Sequence, residues 1–580
     1  MAPSRSGSKD IILGDLSSGS VKSSRDEASI TQKAEATSVE EEISETVFIT
    51  GWSLGLITFA QCLALFVAQM ESSIVSTSIL AITNELGGFN KSSWVFTAFL
   101  LTYSGLVIIW AKMSDIFGRK RLLLVALILF IVFSGACGAA QTLIQLIMFR
   151  CIQGIGGSGI FSLAIIIWFE IVPPRDFPKY TALVTVVFTF SVTFGPLIGG
   201  SLTDHTTWRW IFLLNVPLGF ISLVILFFLL PTTLPAQKHS ATPLVGNIWS
   251  LKNLQRIDFI GATLLLGGCV LLVTALQQAA DGISFAAAVV LSLLILSGVF
   301  WVAFVIWQWF ITTKRELPEP VFPWRFFSSR VFMGMILNTF FAGTILTVLT
   351  IQLPQRFQTV NGNSALIAGV RLISFGLLAP ASSAISATII GKTTIPPIWH
   401  ILLGSFLEIV GTVGLSKTPT TYAIAPQQYV FQVITGVGVG FCNAALMLLV
   451  PNVVEKRDLG EYPNADESRK HFTDLGIAVG TAAITQFRVL GGIMGLAIVI
   501  SVMNRAIQSD LLDILPVQTV DTLLQTTEII HRLPPSVQES VRLIFARGYN
   551  LQMTIMIGFA AAQVPSTMLM WTRKPIMVEK

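Results

Sequence analysis

Fourteen apolar runs, each about long enough to cross a bilayer, constrain this 580-residue chain more than any other feature. About 30 Å of hydrocarbon takes roughly 20 residues at 1.5 Å each. The first seven runs are Trp52–Ile79, Ser93–Met113, Leu122–Ala140, Leu143–Ile167, Tyr180–Leu202, Trp210–Leu230 and Phe259–Leu276. The other seven are Phe285–Ile311, Val331–Leu353, Ala365–Ile390, Ile398–Leu415, Tyr429–Val450, Ile477–Met503 and Thr554–Met570. Charged residues make up 12% of the chain, about half the ~25% of soluble proteins. So few charges could not cover a soluble surface. The fold class expected is an all-α polytopic membrane protein of fourteen spans.

Lysine and arginine orient it. Residues 1–47 are rich in Ser, Glu, Lys and Thr with no early hydrophobic stretch, which reads as a disordered cytosolic tail and not a signal peptide. With that tail in the cytosol, 26 of the 37 Lys and Arg fall inside, 8 outside, and Arg150, Arg371 and Arg488 within spans. This is the positive-inside pattern. An even span count puts both termini in the cytosol. It also places the sequon Asn90-Lys91-Ser92 outside, where Asn90 could carry a glycan.

The chain repeats itself. FRCIQGIG from Phe149 matches FQVITGVG from Phe431, and Gly195 and Gly199 match Gly491 and Gly495. The halves therefore read as parallel copies, with spans 7 and 8 as an extra central pair. The expected domains are a six-helix bundle at 48–232, a cytosolic loop with the extra spans and a following loop at 233–330, and a second six-helix bundle at 331–575. The second bundle carries an outer loop at 504–553 and a polar stretch at 460–475, before a cytosolic end at 576–580. Two readings of the polar stretch stay open. It is either a solvated cytosolic insert or a translated intron, since removing sixteen residues restores the repeat spacing.

Several chemistries are not supported. Cys62, Cys137, Cys151, Cys269 and Cys442 sit in apolar runs without CxxC spacing, so neither a disulfide framework nor a metal site is expected. No Walker sequence or enzyme constellation is present, and no cofactor is expected. The net charge of +5 gives no reason to invoke nucleic acid.

Four motifs carry mechanism. The loop after span 2, WAKMSDIFGRKR, is a tight cytosolic turn in which Gly118 suits a positive φ. Lys112, Arg119 and Lys120 are its bases, and Asp115 can accept hydrogen bonds from a neighbouring helix N-terminus. Span 4 carries RCIQGIGGSG. A central Arg150 in hydrocarbon costs at least ~2.5–3.5 kcal/mol and needs a partner or a wet cavity. Gly154 and Gly156 permit close helix approach there. Counting along the spans places Glu71 of span 1 and Arg150 both ~10–12 Å from the outer side, so they could pair. Burial favours a neutral carboxyl and an adjacent cation a charged one. That combination suits a group that loads and releases a proton, with Arg150 tuning it. Span 5 ends SVTFGPLIGG, in which Pro196 bends the helix and Gly195, Gly199 and Gly200 form a smooth face. WRWIFLLNVPLG follows directly.

In these motifs the chain resembles the major facilitator superfamily, over about residues 48–575. The loop matches Gly-x-x-x-Asp-x-x-Gly-Arg-Lys except at Ala111. The span-4 run, with Gln153, Gly154 and Gly156, resembles Arg-x-x-Gln-Gly-x-Gly of proton-coupled members. The span-5 run resembles Gly-x-x-x-Gly-Pro-x-x-Gly-Gly of exporters, with Ser191 for the first Gly. The best match is the fungal fourteen-span drug:proton antiporter branch, which usually has an Asp where Glu71 stands.

The resemblance implies two six-helix bundles around a cavity, alternating access, and a latch between the halves at Lys112, Asp115, Gly118, Arg119 and Lys120. It implies export of amphipathic drugs, toxins or secondary metabolites against protons, by a monomer in the plasma membrane or, as the alternative, the vacuolar membrane. Siderophore–iron uptake and a non-transporting sensor are the competing functions. Glu408 in span 11 and Arg488 in span 13 are candidates for substrate contact or coupling, or for a structural pair.

Overall fold

The computed structural model describes residues 49–173, 176–232, 258–280, 283–314, 320–322, 324–458, 466–525, 529–530 and 533–577. Among them every regular element is helical. Thirteen helices among the described residues are long and apolar enough to cross a membrane. They are α1 (Gly51–Leu86), α2 (Ser92–Phe117), α3 (Arg119–Gly138), α4 (Leu143–Ile171), α5 (Phe177–His205), α6 (Trp210–Leu229) and α7 (Phe259–Ala280). After them come α8 (Ala288–Lys314), α9 (Arg330–Thr359), α10 (Ala365–Lys392), α11 (Pro397–Ser416), α12 (Gln427–Asp458) and α13 (Asp466–Leu512).

The fourteenth apolar run lies in α14 (Pro535–Leu569), a 35-residue helix outside that set. Gln552, Gln563, Ser566 and Thr567 dilute its apolar character, and the bundle buries all four. The polar stretch expected at 460–475 falls partly on residues 459–465, outside the described residues. From Asp466 on it is already helix, continuous with α13.

Helices apolar all round must meet either protein or lipid on every side. Large side chains such as Phe228, Ile144 and Ile295 are 75%, 73% and 60% exposed, which suits a lipid-facing surface and not water. The same measure sorts centre from rim. The apolar stretches of α2, α4 and α13 are 72% buried, and that of α8 only 17%.

Packing repeats as the sequence does. In the first half α1 packs on α5 and α6, and both α2 and α3 pack on α4. In the second, α9 packs on α13 and α14, and both α10 and α11 pack on α12. The matched glycines lie at equivalent contacts. A Cβ on Gly199 would stand 2.8 Å from Thr77 Oγ1, and one on Gly495 would stand 2.0 Å from Thr344 Cγ2.

The halves meet chiefly along two seams, α5 against α10 and α2 against α13, with α1 also touching α9. At the first seam α10 breaks at Leu377. Pro380 has no N–H to offer the Gly376 carbonyl, and Thr193 Oγ1 from the other half donates to that carbonyl at 3.0 Å instead. At the second seam α7 lies against both α2 and α13, with α8 outside it. Buried Gln277 of α7 accepts from Ser93 Oγ and donates to Thr97 Oγ1 of α2, each at 2.9 Å.

Gln277→Leu removes both bonds and leaves two hydroxyls facing an apolar side chain. We expect a loss of about 1 kcal/mol, read as a lower melting temperature of the detergent-solubilised protein. Ser292→Ala, on the exposed face of α8, should leave that temperature unchanged.

Candidate functional site

Two charged side chains lie at the centre of the first half. Glu71 on α1 and Arg150 on α4 are both 0% exposed, and Arg150 Nη1 pairs with Glu71 Oε1. The expected pair is thus formed. Arg150 also donates through Nε to the Val95 carbonyl at 3.0 Å and through Nη1 to Gln153 Oε1 at 2.9 Å. Gln153 in turn donates to Ser134 Oγ of α3 at 2.7 Å. The guanidinium carbon lies 4.4 Å from the Phe99 ring centre and 5.6 Å from that of Phe212. Such faces attract a cation strongly where water is excluded.

Glycine makes this proximity available. A Cβ on Gly154 would stand 2.4 Å from the Phe99 carbonyl oxygen, and one on Gly156 would stand 2.6 Å from the Phe130 nitrogen. The span-4 glycines therefore seat α2 on one side and α3 on the other.

A third partner of the pair escaped the sequence reading. Asn215 of α6, fully buried, donates through Nδ2 to Glu71 Oε2. It stands in the WRWIFLLNVPLG run as its one uncharged polar side chain between apolar neighbours, which was the available signal. The start of that run anchors the helix. Arg209 pairs with Glu85 at 2.8 Å, and Trp208 Nε1 donates to Glu85 at 2.6 Å.

The second half carries a related node with the charges rearranged. Phe340 and Thr344 of α9 take the places that Ser73 and Thr77 hold on α1, against Gly491 and Gly495. Two residues before Ser73 stands Glu71, and two before Phe340 stands Asn338. Gln432 occupies the position of Arg150 in the repeat. Asn338 donates to the Gln563 carbonyl at 3.1 Å and to Thr567 at 2.9 Å. Glu408 is 0% exposed and accepts from Gln563 Nε2 of α14. The alternative of a Glu408–Arg488 structural pair is corrected: no ion pair joins them among the described residues. The reason is that their side chains serve different partners, Gln563 for Glu408 and Asn443 for Arg488.

Arg488 instead lines a cavity between the halves. The cavity has two small, partly open lobes with free volumes of about 80 and 40 Å³. Phe188, Val192, Leu346 and Arg488 border both lobes. Gln69, Ser72 and Ser73 of α1 border the larger lobe, while Glu71 points the other way, into its bundle. Phe99 borders that lobe and also covers Arg150.

The cytosolic loop and the span-5 motif lie at either end. Gly118 joins α2 directly to α3 with φ +93°, a conformation that favours glycine. Arg119 pairs with Glu170 of α4 at 2.9 Å, and Lys120 donates to the Leu230 carbonyl at 2.5 Å. These contacts stay within the first half. The side chains of Lys112, Asp115 and Asn90 lie outside the described residues.

Pro196 and Gly200 are seam residues. A Cβ on Gly200 would stand 2.5 Å from the Ala365 carbonyl oxygen of α10, and one on Gly369 would stand 2.4 Å from that of Pro196. Gly195 and Gly199 seat α1 instead, where their added Cβ atoms would meet Ser73 Oγ at 2.0 Å and the Ile74 carbonyl at 2.3 Å.

The family model described as "Major Facilitator Superfamily" matches residues 61–463. The chain belongs to the major facilitator superfamily. It is a multi-pass membrane transporter, of a family whose members are not enzymes. It is 36% identical over 531 residues to the MFS-type transporter FPY5 of Fusarium mangiferae, covering 92% of this chain and 86% of that one. It is 30% identical over 406 residues to the efflux pump aflT of Aspergillus parasiticus, covering 70% and 76%. Its fold matches the inward-facing, unoccupied structure of a bacterial homologue of the human lysosomal transporter Spinster. That match has a TM-score of 0.58 at 14% identity, and covers 91% of this chain and 100% of the other.

Opening of the α5–α10 seam can be tested by wedging it. Gly200→Val puts a branched side chain against the α10 backbone, at a cost of about 1–3 kcal/mol to the closed seam. We expect a cysteine introduced at Asp204 or Leu366 to react faster with an impermeant maleimide in the Gly200→Val background. An unchanged labelling rate would remove the seam from the gating surface.

Proposed function

We propose that this transporter exports small amphipathic molecules in exchange for protons, by alternating access. The observation that carries the reading is the sealed Glu71–Arg150 pair, one helix face away from the cavity. An intact buried pair is costly to break, because an orphaned partner leaves an uncompensated charge worth about 3–5 kcal/mol. Protonating Glu71 neutralises one partner without removing it. Arg150 then loses its counter-charge and is held by Val95, Gln153, the two aromatic faces and, at most, a neutral carboxyl oxygen. Any shift of Arg150 is felt by Phe99, and so by the cavity wall.

In this cycle a proton reaches Glu71 from the outer side, substrate leaves, and the carboxyl discharges inward once the halves have rocked. The span-5 motif supports export, as does the similarity to a protein named as an efflux pump. Gly118, Arg119 and Lys120 set the α2–α3 turn, and with Lys112 and Asp115 they latch the cytosolic side. In our reading α14 is the fourteenth span, both termini are cytosolic, Asn90 faces outward, and the monomer works in the plasma membrane.

Purified protein in proteoliposomes tests the coupling. Glu71→Gln keeps the size of the side chain and one acceptor oxygen for Arg150 but cannot ionise. We expect pH-gradient-driven substrate flux to fall at least ~10-fold, equivalent to about 1.4 kcal/mol in the barrier, with substrate binding retained. Glu71→Asp should keep part of the driven flux. Undiminished pH-driven flux in Glu71→Gln sinks the mechanism. Accumulation of iron chelates by whole cells would favour uptake instead.

A further inference from the structure

Arg488 is the one charged side chain bordering the cavity among the described residues, and it borders both lobes. Its described polar partner is Asn443 Oδ1 at 3.1 Å, a neutral acceptor. The Phe188 ring centre lies 5.2 Å from the guanidinium carbon. No carboxylate borders either lobe among the described residues. A guanidinium at membrane depth needs an anion or water to face. Arg150 has its anion built in; Arg488 does not. Around it stand apolar walls, Phe99, Phe188, Val192 and Leu346.

We propose that the cavity takes monoanionic amphipaths, above all aromatic carboxylates, with Arg488 as the counter-charge and the aromatic walls holding the apolar body. The planar fork of arginine suits a carboxylate held through two oxygens. This inference deepens the export reading and rests on it for the direction of transport only. Its energetic consequence is specific. One proton inward for one monoanion outward carries net positive charge inward, so an inside-negative potential drives export as well as the pH gradient does. A monocation exchanged for a proton would move no net charge.

The test uses the purified full chain in nanodiscs and three probes with the same ring: 2-naphthoate, 2-naphthamide and 2-naphthyltrimethylammonium. Acetate and chloride supply the charge without the ring. Equilibrium binding is expected to be at least ~10-fold tighter for naphthoate than for naphthamide, the ammonium or acetate, with chloride competing weakly. R488Q should bring naphthoate and naphthamide to equal affinity, and R488K should keep part of the preference. Equal or tighter binding of the amide or ammonium by the wild type overturns the inference. So does a naphthoate preference that survives in R488Q, chloride or acetate binding as well as naphthoate, or no saturable naphthoate binding by folded wild-type protein. The wild-type probe series decides the matter even where R488Q folds poorly. Glu71→Gln should keep the naphthoate preference. If naphthoate binds as expected but its flux ignores the pH gradient, proton coupling fails and this inference stands.

Discussion

A guanidinium fixed in the middle of a membrane bundle is the constraint on which the first half of this protein is built. Arg150 is fully buried, so the surrounding helices must supply its compensation. α1 contributes a carboxylate, α2 a carbonyl and an aromatic face, α6 an amide that steadies the carboxylate, and α4 its own Gln153. The glycines at 154 and 156 follow from the same demand. Compensation at hydrogen-bond distance requires helices closer than ordinary side chains allow, and an added methyl at either position would overlap backbone.

The two halves share packing but not electrostatics. Glycines seat α5 on α1 and α13 on α9 in the same way, so the scaffold is duplicated. Where the first half has Glu71 and Arg150, the second has Asn338 and Gln432, and its buried Glu408 sits on α11 with no ion-pair partner among the described residues. A scaffold can stay symmetric because packing depends on size, and small residues are interchangeable. Charge cannot be duplicated so freely, since each copy needs its own complete set of partners. The asymmetry separates the work between halves: an internally balanced pair in one, and in the other an arginine whose balance must come from the cavity.

Much of this was visible in the chain, for identifiable reasons. Spans declare themselves because a helix crossing a bilayer must be long and largely apolar, and the repeat shows in glycines because their role is steric. The Glu71–Arg150 pair followed from equal depth, a quantity that counting residues supplies. Counting gives depth but not azimuth. That is why Asn215 went unnoticed as the third partner, and why Glu408 and Arg488 stood as a candidate pair until their separate partners were seen. Phe99 was invisible for another reason. One aromatic among forty phenylalanines carries no signal, and its importance is purely positional.

That position joins the two sites. Phe99 has one face toward Arg150 and borders the cavity, while α1 turns Glu71 inward and Gln69, Ser72 and Ser73 toward the cavity. The proton and substrate sites we propose are thus separated by one ring and one helix, without sharing a ligand. Direct competition for a single carboxylate would restrict such a transporter to cations. Separation removes that restriction, because the coupling is then carried by the position of Arg150 and Phe99, and not by the charge of what is exported. A cavity bordered by arginine and the proton site proposed at Glu71 are compatible for that reason.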